Sequence, residues 1–142
     1  MDLNNFTFER VMIIDDNELD RFLATLILQK HKFANEIVEY DMASKAFQFF
    51  KDNQDDPEKF PQLILLDIRM PKMDGFEFLE RMSLMSPFVA HNCCVVMLSS
   101  SVSPSDLERA SNNTLIKKYI HKPFREENLQ DIKELYLSTR TR

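Results

Sequence analysis

The chain has 142 residues and a formal net charge of −5 at pH 7, with 44% hydrophobic and 29% charged residues. This length predicts one domain, 1–142 with its core at about 9–137, large enough to fold without disulfides or a structural metal. The acidic balance provides no basic field for nucleic acid, and no apolar run reaches the roughly 20 residues of a membrane span. We therefore expect a cytoplasmic protein, a monomer or weak dimer, with no nucleic-acid or membrane partner.

The N-terminal segment and the cysteines support this expectation. Residues 1–10 lack a basic stretch followed by an apolar one, so no secretory signal is visible. Cys93 and Cys94 are adjacent and would point to opposite faces of a strand, which makes them poor disulfide partners. We interpret both as reduced core thiols, with a redox role as the alternative.

Apolar runs alternate with helical patterns along the chain, as in a parallel sheet covered by helices on both faces. The predicted strands are Arg10–Asp15, Glu36–Tyr40, Leu63–Asp67, Cys93–Ser99 and Lys118–His121. The predicted helices are Glu18–Lys30 with Asn17 as its N-cap, Ala43–Asp52, a third from Gly75 or Phe76, Pro104–Asn112 and Glu126–Leu137.

Two local patterns give further expectations. Helix one carries apolar side chains at the spacing of one helix face: Leu19, Phe22, Leu23, Leu26 and Ile27. Gly75 is the single glycine of the chain, so other residues must form most turns. We expect Asn112–Asn113 to supply a left-handed turn before strand five, because asparagine tolerates that conformation.

Chemically active side chains follow four of the five predicted strands. Asp15 and Asp16 close strand one, and Asp67 closes strand three. Ser99 closes strand four, and Lys122 follows strand five. Because ligands bind at the carboxyl ends of strands in an open α/β sheet, this edge is predicted to be a metal-and-phosphate site.

These residues resemble the marks of the receiver domain of two-component response regulators. The most specific piece is the segment from Asp67 to Gly75, in which an aspartate is followed by Met-Pro and then Asp-Gly. Lys122–Pro123 after strand five also matches, and the resemblance covers about residues 9–137. It implies a doubly wound (βα)5 flavodoxin-like fold, with a five-stranded parallel sheet in the order 2-1-3-4-5.

The resemblance implies a phosphoacceptor site with Mg²⁺ as its cofactor. Asp16 and Asp67 would ligate the metal directly, Asp15 would act through water, and the backbone carbonyl of Arg69 would complete the protein ligands. Asp67 would be the phosphoacceptor, and Lys122, before a commonly cis proline, would pair with Asp67 and then with the phosphoryl group. The alternative is that the acid pair only caps helix one and that the lysine is a solvated charge.

The resemblance also implies a switch. Ser99 would donate to a phosphoryl oxygen, and Tyr119 would then turn inward and change the face made by the fourth predicted helix, fifth strand and fifth helix. Arg69 and Ser101 would border the phosphoryl group and tune its lifetime. Arg69 would either shield the group from water or remain solvated.

The leading interpretation is a phosphorylation-dependent switch without an output domain of its own. It would accept phosphoryl groups from a sensor histidine kinase or a histidine phosphotransfer protein and would catalyse only its own phosphorylation and dephosphorylation. It would then regulate a protein target or relay phosphate onward. One alternative is a pseudo-receiver that binds partners without phosphorylation. Another is a phosphohydrolase, which usually carries an acid two residues after its nucleophile, where Arg69 stands here.

Overall fold

The computed structural model describes residues 6–100 and 103–140 and contains one five-stranded parallel sheet in the order β2-β1-β3-β4-β5. The predicted fold class and strand order are confirmed. The strands are β1 Phe8–Ile14, β2 Ala34–Tyr40, β3 Leu63–Asp67, β4 Cys94–Ser99 and β5 Ile116–His121. The helices are α1 Glu18–Lys30, α2 Ala43–Asp52, α3 Gly75–Met85, α4 Pro87–Asn92, α5 Pro104–Ser111 and α6 Glu127–Arg140.

Alternation along the strands produces two cores, one on each face of the sheet. One core joins alternate strand residues to α1 and α6, and includes Ile13, Leu65 and Val96 together with Leu28 and Ile132. The other joins the intervening strand residues to α2, α3, α4 and α5, through residues such as Ile14, Leu66, Met97, Phe50 and Phe78. Burial on both faces explains why the central strands are continuous apolar runs.

The short helix α4 was missed by the sequence analysis. It has only six residues, which is too short to show a helical period, although Ser86 caps it and Pro87 occupies its first turn. A short 3-10 helix, Pro57–Lys59, also lies in the predicted 51–62 loop. The predicted fourth and fifth helices are therefore α5 and α6.

Helix α1 is oriented differently from the expectation for an apolar helix face. The residues that it buries are Ala24 and Leu28, and Ile27 packs partly against the same core. The other four apolar residues, which we call the α1 stripe, are exposed by 63%, 59%, 37% and 50%, in the order Leu19, Phe22, Leu23 and Leu26. The helix is thus apolar on two sides, and the larger side chains face outward.

The expected left-handed turn at Asn112–Asn113 is wrong. Asn112 ends α5 with φ −90° and ψ −4°, and the turn closes instead through a hydrogen bond that the Leu115 amide donates to the Asn113 side-chain oxygen. Among the described residues that are not glycine, positive φ occurs at Lys32 and Lys72.

The cysteines behave as core thiols. Both are buried and free, with Cys93 in the core under α2 and α3 and Cys94 in the core under α1 and α6. Burial raises the pKa of the Cys93 thiol to about 12 and that of Cys94 to about 11. Among the described residues, no helix combines the length and apolarity needed to cross a membrane.

Gly75 is required by a close backbone approach. Its amide donates a hydrogen bond to the Ile68 carbonyl at 2.9 Å, which brings the start of α3 against the end of β3. A Cβ atom at this position would lie 2.4 Å from the Asp67 carbonyl oxygen, well inside the distance of van der Waals contact. The start of α3 and the strand end that carries Asp67 therefore hold each other in place.

This contact predicts that Gly75→Ala destabilises the protein by about 1–3 kcal/mol, the usual range for overpacking. Elsewhere in a helix, replacing glycine by alanine stabilises the protein by about 1 kcal/mol. At Gly75 the steric clash with the Asp67 carbonyl should make the same substitution destabilising. The free energy of unfolding can be measured by urea denaturation followed by circular dichroism. Glu80→Ala, at an exposed position of the same helix, is the control. A Gly75→Ala protein as stable as wild type would contradict the collision.

Candidate functional site

The carboxyl ends of the strands bring the predicted side chains to one edge of the sheet. Ile14 pairs with Leu66 across β1 and β3, so Asp15 and Asp67 directly follow paired positions. Asp67 in turn pairs with Leu98, one residue before Ser99. Lys122 follows β5, and its amide donates to the Ser99 carbonyl at 2.8 Å.

Three carboxylates converge there. One oxygen from each of Asp15, Asp16 and Asp67 lies within 4.8 Å of the others. Asp15 and Asp67 are buried, whereas Asp16 is exposed at the mouth of the site. This is the only such group of acids, histidines and cysteines found among the described residues. An all-oxygen, anionic donor set with one open side suits a hard divalent cation such as Mg²⁺, which keeps several waters.

The acid pair does not serve as the cap of α1, so that alternative reading is wrong. The cap is Asn17, as predicted, and its side chain accepts from the Asp20 amide at 2.9 Å. Asp15 accepts from the Asn17 amide, also at 2.9 Å, which fixes one of its oxygens just before the helix begins. The other oxygen is directed to the cation of the site.

That cation is Lys122, whose side chain is only 10% exposed. Its ammonium lies 2.7 Å from an oxygen of Asp15, 2.8 Å from Asp20 and 3.4 Å from Asp67. The solvated-charge alternative is therefore wrong. The Lys122–Pro123 peptide bond is cis, as the resemblance implies. Burial alone would lower the pKa of this lysine, but hydrogen bonds to Asp15 and Asp20 hold it above its usual value.

The ionised form of Asp67 is destabilised by its surroundings. Burial, the charge of Asp15 and more weakly that of Asp16 raise its pKa to about 7, against the opposing effect of Lys122. The lysine therefore compensates only part of the repulsion among the acids. A carboxylate in this state gains most from an additional positive charge at the open side of the cluster.

Ser99 and Tyr119 occupy the positions expected for a switch. Ser99 is 1% exposed at the end of β4, next to the strand end that carries Asp67. Tyr119 is half-buried in β5, pairs with Met97, and packs against the core under α5. The two residues therefore lie on the adjacent strands β4 and β5, with Ser99 at the strand end beside Asp67.

The Arg69 side chain forms an ion pair with Asp106 in the first turn of α5. The guanidinium side is 60% exposed, whereas the Asp106 carboxylate is only 4% exposed. The loop after β3 is therefore tied to the start of α5. Ser101, the second predicted lifetime residue, lies outside the described residues.

Two acids near the site were not singled out from the sequence. Asp20 stands among apolar residues in α1, and only the orientation of that helix reveals its contact with Lys122. Asp106 follows a proline at a helix start, where an acid is expected for the helix dipole alone. Local sequence signals explain both residues adequately, so neither attracts notice until the tertiary contacts are known.

The fold and this arrangement at the strand ends are those of a receiver-type domain, and comparison with known proteins shows the family. The model for the response regulator receiver domain matches residues 11–134. The chain belongs to this family. Receiver domains of this kind take phosphoryl groups from kinases and act on downstream partners.

Relatives and solved structures agree with this assignment. The two-component response regulator ORR1 of Oryza sativa subsp. indica is 28% identical over 127 residues, which are 88% of this chain and 54% of ORR1. The probable methanogenesis regulatory protein FilR2 of Methanothrix harundinacea is 28% identical over 131 residues, covering 89% of this chain and 83% of FilR2. This chain thus spans about half the length of the rice regulators that it matches.

Two crystal structures show the same fold. A two-component response regulator from Cytophaga hutchinsonii has a TM-score of 0.85 at 24% identity, with 92% of this chain and 98% of that one covered. A response regulator receiver protein from Dyadobacter fermentans has a TM-score of 0.79 at 26% identity, with 91% and 98% covered.

The raised pKa of Asp67 predicts a pH-dependent stability. The folded protein binds this proton near pH 7 and the unfolded chain near pH 3.8, so stability falls as pH rises between these values. In metal-free buffer at pH 8, Asp67→Asn should be more stable than wild type by on the order of 1–3 kcal/mol, and the difference should shrink toward pH 5. Urea denaturation at both pH values measures it. Asp55→Asn, at an exposed position, should show no such pattern.

Proposed function

We propose that this protein is a phosphorylation-dependent signalling switch that accepts a phosphoryl group on Asp67. The observation that carries the proposal is the acid cluster itself, in which a buried carboxylate at a strand end faces a buried ammonium and two further acids. The family assignment supports the same reading. All the acids, the hydroxyl and the lysine that the chemistry requires are present in this chain.

In the proposed reaction, a phosphoryl group is transferred from an oxygen or nitrogen atom of the donor to the Asp67 carboxylate. An oxygen of Asp67 forms the new O–P bond while the bond between phosphorus and the donor breaks, and the donor leaves with the electron pair. Negative charge spreads over the phosphoryl oxygens during transfer. Lys122 is 3.4 Å from Asp67 and is positioned to neutralise part of that charge.

Mg²⁺ is the proposed cofactor, and when bound it would supply further positive charge to the transferring group. Asp16 and Asp67 would be direct ligands together with the Arg69 backbone carbonyl, and Asp15 would act through water. The support is the convergence of the three acids and the raised pKa of Asp67, which burial and then repulsion by Asp15 produce.

Transmission is proposed to run through Ser99 and Tyr119. The Ser99 hydroxyl would stabilise the phosphorylated arrangement by a hydrogen bond that exists only when the phosphoryl group is present. Movement of Ser99 toward the phosphoryl group would open a space, and Tyr119 would turn into it. This would change the face formed by α5, β5 and α6, where a downstream protein would bind. Leu107 and Leu137, exposed by 41% and 49%, provide apolar contact area on the two helices.

Arg69 and Ser101 are the proposed lifetime residues. The Arg69 side chain would leave Asp106 and reach the phosphoryl group on Asp67, two residues earlier in the chain. There it would obstruct the approach of water to phosphorus. Its exposed guanidinium makes such a movement feasible, while the buried carboxylate of Asp106 opposes it.

The phosphodonor is proposed to be a histidine kinase or a histidine phosphotransfer protein that binds the α1 stripe. The stripe is one turn from the acid cluster, and an open cavity of about 590 Å³ joins the two, lined by Asp16, Asn17, Glu18, Leu19 and Phe22. Four large apolar side chains exposed together on one helix mark a protein-binding surface. A cytoplasmic location is proposed with this partner.

Phosphorylation can be tested directly with acetyl phosphate and Mg²⁺. Wild type should gain the mass of one phosphoryl group, and Asp67→Asn should gain none, because the amide is not a nucleophile at phosphorus. Intact mass spectrometry reads both, with Asp55→Asn as a control that should be labelled as wild type. Absence of label from wild type would favour the pseudo-receiver, and undiminished label on Asp67→Asn would exclude Asp67 as the acceptor.

The donor surface makes a separate prediction. Phe22 is the aromatic residue of the α1 stripe, and Phe22→Ser removes its ring while leaving the acids and Lys122 unchanged. Transfer from purified phosphorylated histidine kinases should slow at least about tenfold, a typical cost for a buried aromatic anchor, while labelling by acetyl phosphate is unchanged. Leu84→Ser, at an 80% exposed position on α3, is the matched control. Equal loss in both variants would argue against α1 as the docking face.

A further inference from the structure

A fourth carboxylate, Asp20, contacts the cation of the site from outside the metal-binding cluster. The Asp20 oxygen lies 2.8 Å from the Lys122 ammonium, whereas the nearest Asp67 oxygen lies 3.4 Å away. Asp20 is 30% exposed, so the contact is partly shielded from solvent. The strongest bonds of the lysine are therefore made to Asp15 and Asp20, not to the proposed phosphoacceptor.

The backbone of α1 fixes this acid in place. Asp20 precedes Ala24 and Leu28 by four and eight residues, so all three lie on the row of the helix that faces the sheet. The Asp20 amide is bonded to the Asn17 side chain, which holds the first turn against the end of β1. Its carboxylate is thus directed inward, while the α1 stripe faces outward.

The geometry of the ammonium limits what Lys122 can do at one time. It has three N–H donors, and two of them are used by Asp15 and Asp20 at distances typical of charged hydrogen bonds. The third is left for Asp67, whose nearest oxygen is 3.4 Å from the ammonium, so this contact is the longest and weakest of the three. Any movement of the ammonium toward an arriving phosphoryl oxygen on Asp67 therefore works against its shorter bond to Asp20.

We propose that Asp20 is a positioning residue that restrains Lys122 and thereby slows phosphoryl transfer to Asp67. The proposal rests on the function proposed above for Asp67. Asp20 attracts the Lys122 ammonium away from the phosphoryl oxygens, where negative charge accumulates during transfer. The interaction between Asp20 and Lys122 weakens as the ammonium moves toward those oxygens. Removing its charge while keeping its size, as in Asp20→Asn, frees the lysine to move toward the phosphoryl group.

The restraint itself can be observed without any phosphodonor. In ¹⁵N-labelled protein, a lysine ammonium held by hydrogen bonds exchanges its protons slowly enough to give a resolved NMR signal. The Lys122 signal, assigned by its loss in Lys122→Gln, should shift and broaden in Asp20→Asn. It should be unchanged in Glu80→Gln, which removes an equal charge at an exposed position of α3, away from the site. An unchanged Lys122 signal in Asp20→Asn would overturn the proposal.

The kinetic consequence is measured with acetyl phosphate and Mg²⁺. Here Asp67 displaces acetate from phosphorus, and intact mass follows the rate. Asp20→Asn should react about two- to fivefold faster, the range for losing a partly exposed ion pair. Asp20→Glu should return the rate toward wild type, and Glu80→Gln should match wild type. In a Lys122→Gln background, Asp20→Asn should have no further effect, because the restrained group is absent.

The outcomes separate the two proposals. No label on wild type would reject the proposed function. Label on wild type with an equal or slower rate in Asp20→Asn would reject only the role of Asp20. The same rejection follows if Asp20→Asn accelerates the reaction equally with and without Lys122, since the effect would then be one of general charge.

Discussion

The repulsion among carboxylates at the strand ends is the constraint on which the site depends. Asp15 and Asp67 are buried within 4.8 Å of each other and of Asp16, and one ammonium, that of Lys122, is shared among them. Burying charge without compensation is costly, so the cluster depends on the lysine that directly follows β5. Burial of the Asp67 carboxylate and its repulsion by Asp15 outweigh the attraction of Lys122, and the pKa of Asp67 is raised as a result.

The rest of the fold serves to hold these charges in register. Parallel pairing brings the ends of β1, β3, β4 and β5 to one edge, and two apolar cores clamp the sheet from both faces. Local interactions then fix the positions of the strand ends and of the helices that follow them. Asn17 caps α1 just after the acid pair, and Gly75 lets the start of α3 pack directly on the Asp67 carbonyl.

Much of this arrangement could be predicted because the informative residues directly follow apolar strands. Asp15, Asp67, Ser99 and Lys122 each terminate or follow such a run, and parallel topology alone brings strand ends together. Most helix bounds follow from the apolar periodicity, and the order of the strands follows from the family resemblance. The roles of these residues stay predictions until the experiments above are done.

What could not be predicted depends on the rotation of helices. An apolar stripe in α1 indicates an amphipathic helix, but Ala24 and Leu28 face the core while the larger Phe22 faces solvent. A small residue such as Ala24 lets the helix pack closely on the sheet. The buried face of α1 therefore carries less apolar side-chain volume than the exposed α1 stripe. Asp20 shares that inward row, so its contact with Lys122 became visible only with the packing. The six residues of α4 are too few to establish a period.

The ion pair between Arg69 and Asp106 has a consequence for how this chain can vary. Asp106 is almost wholly enclosed, and Arg69 is its cation, so removing the arginine alone would strand a charge in the interior. Removing the acid alone is far cheaper, because the arginine is already largely in water. The two positions are therefore unequal partners in divergence. A lineage can lose Asp106 first and Arg69 afterwards, whereas the reverse order passes through a destabilised intermediate.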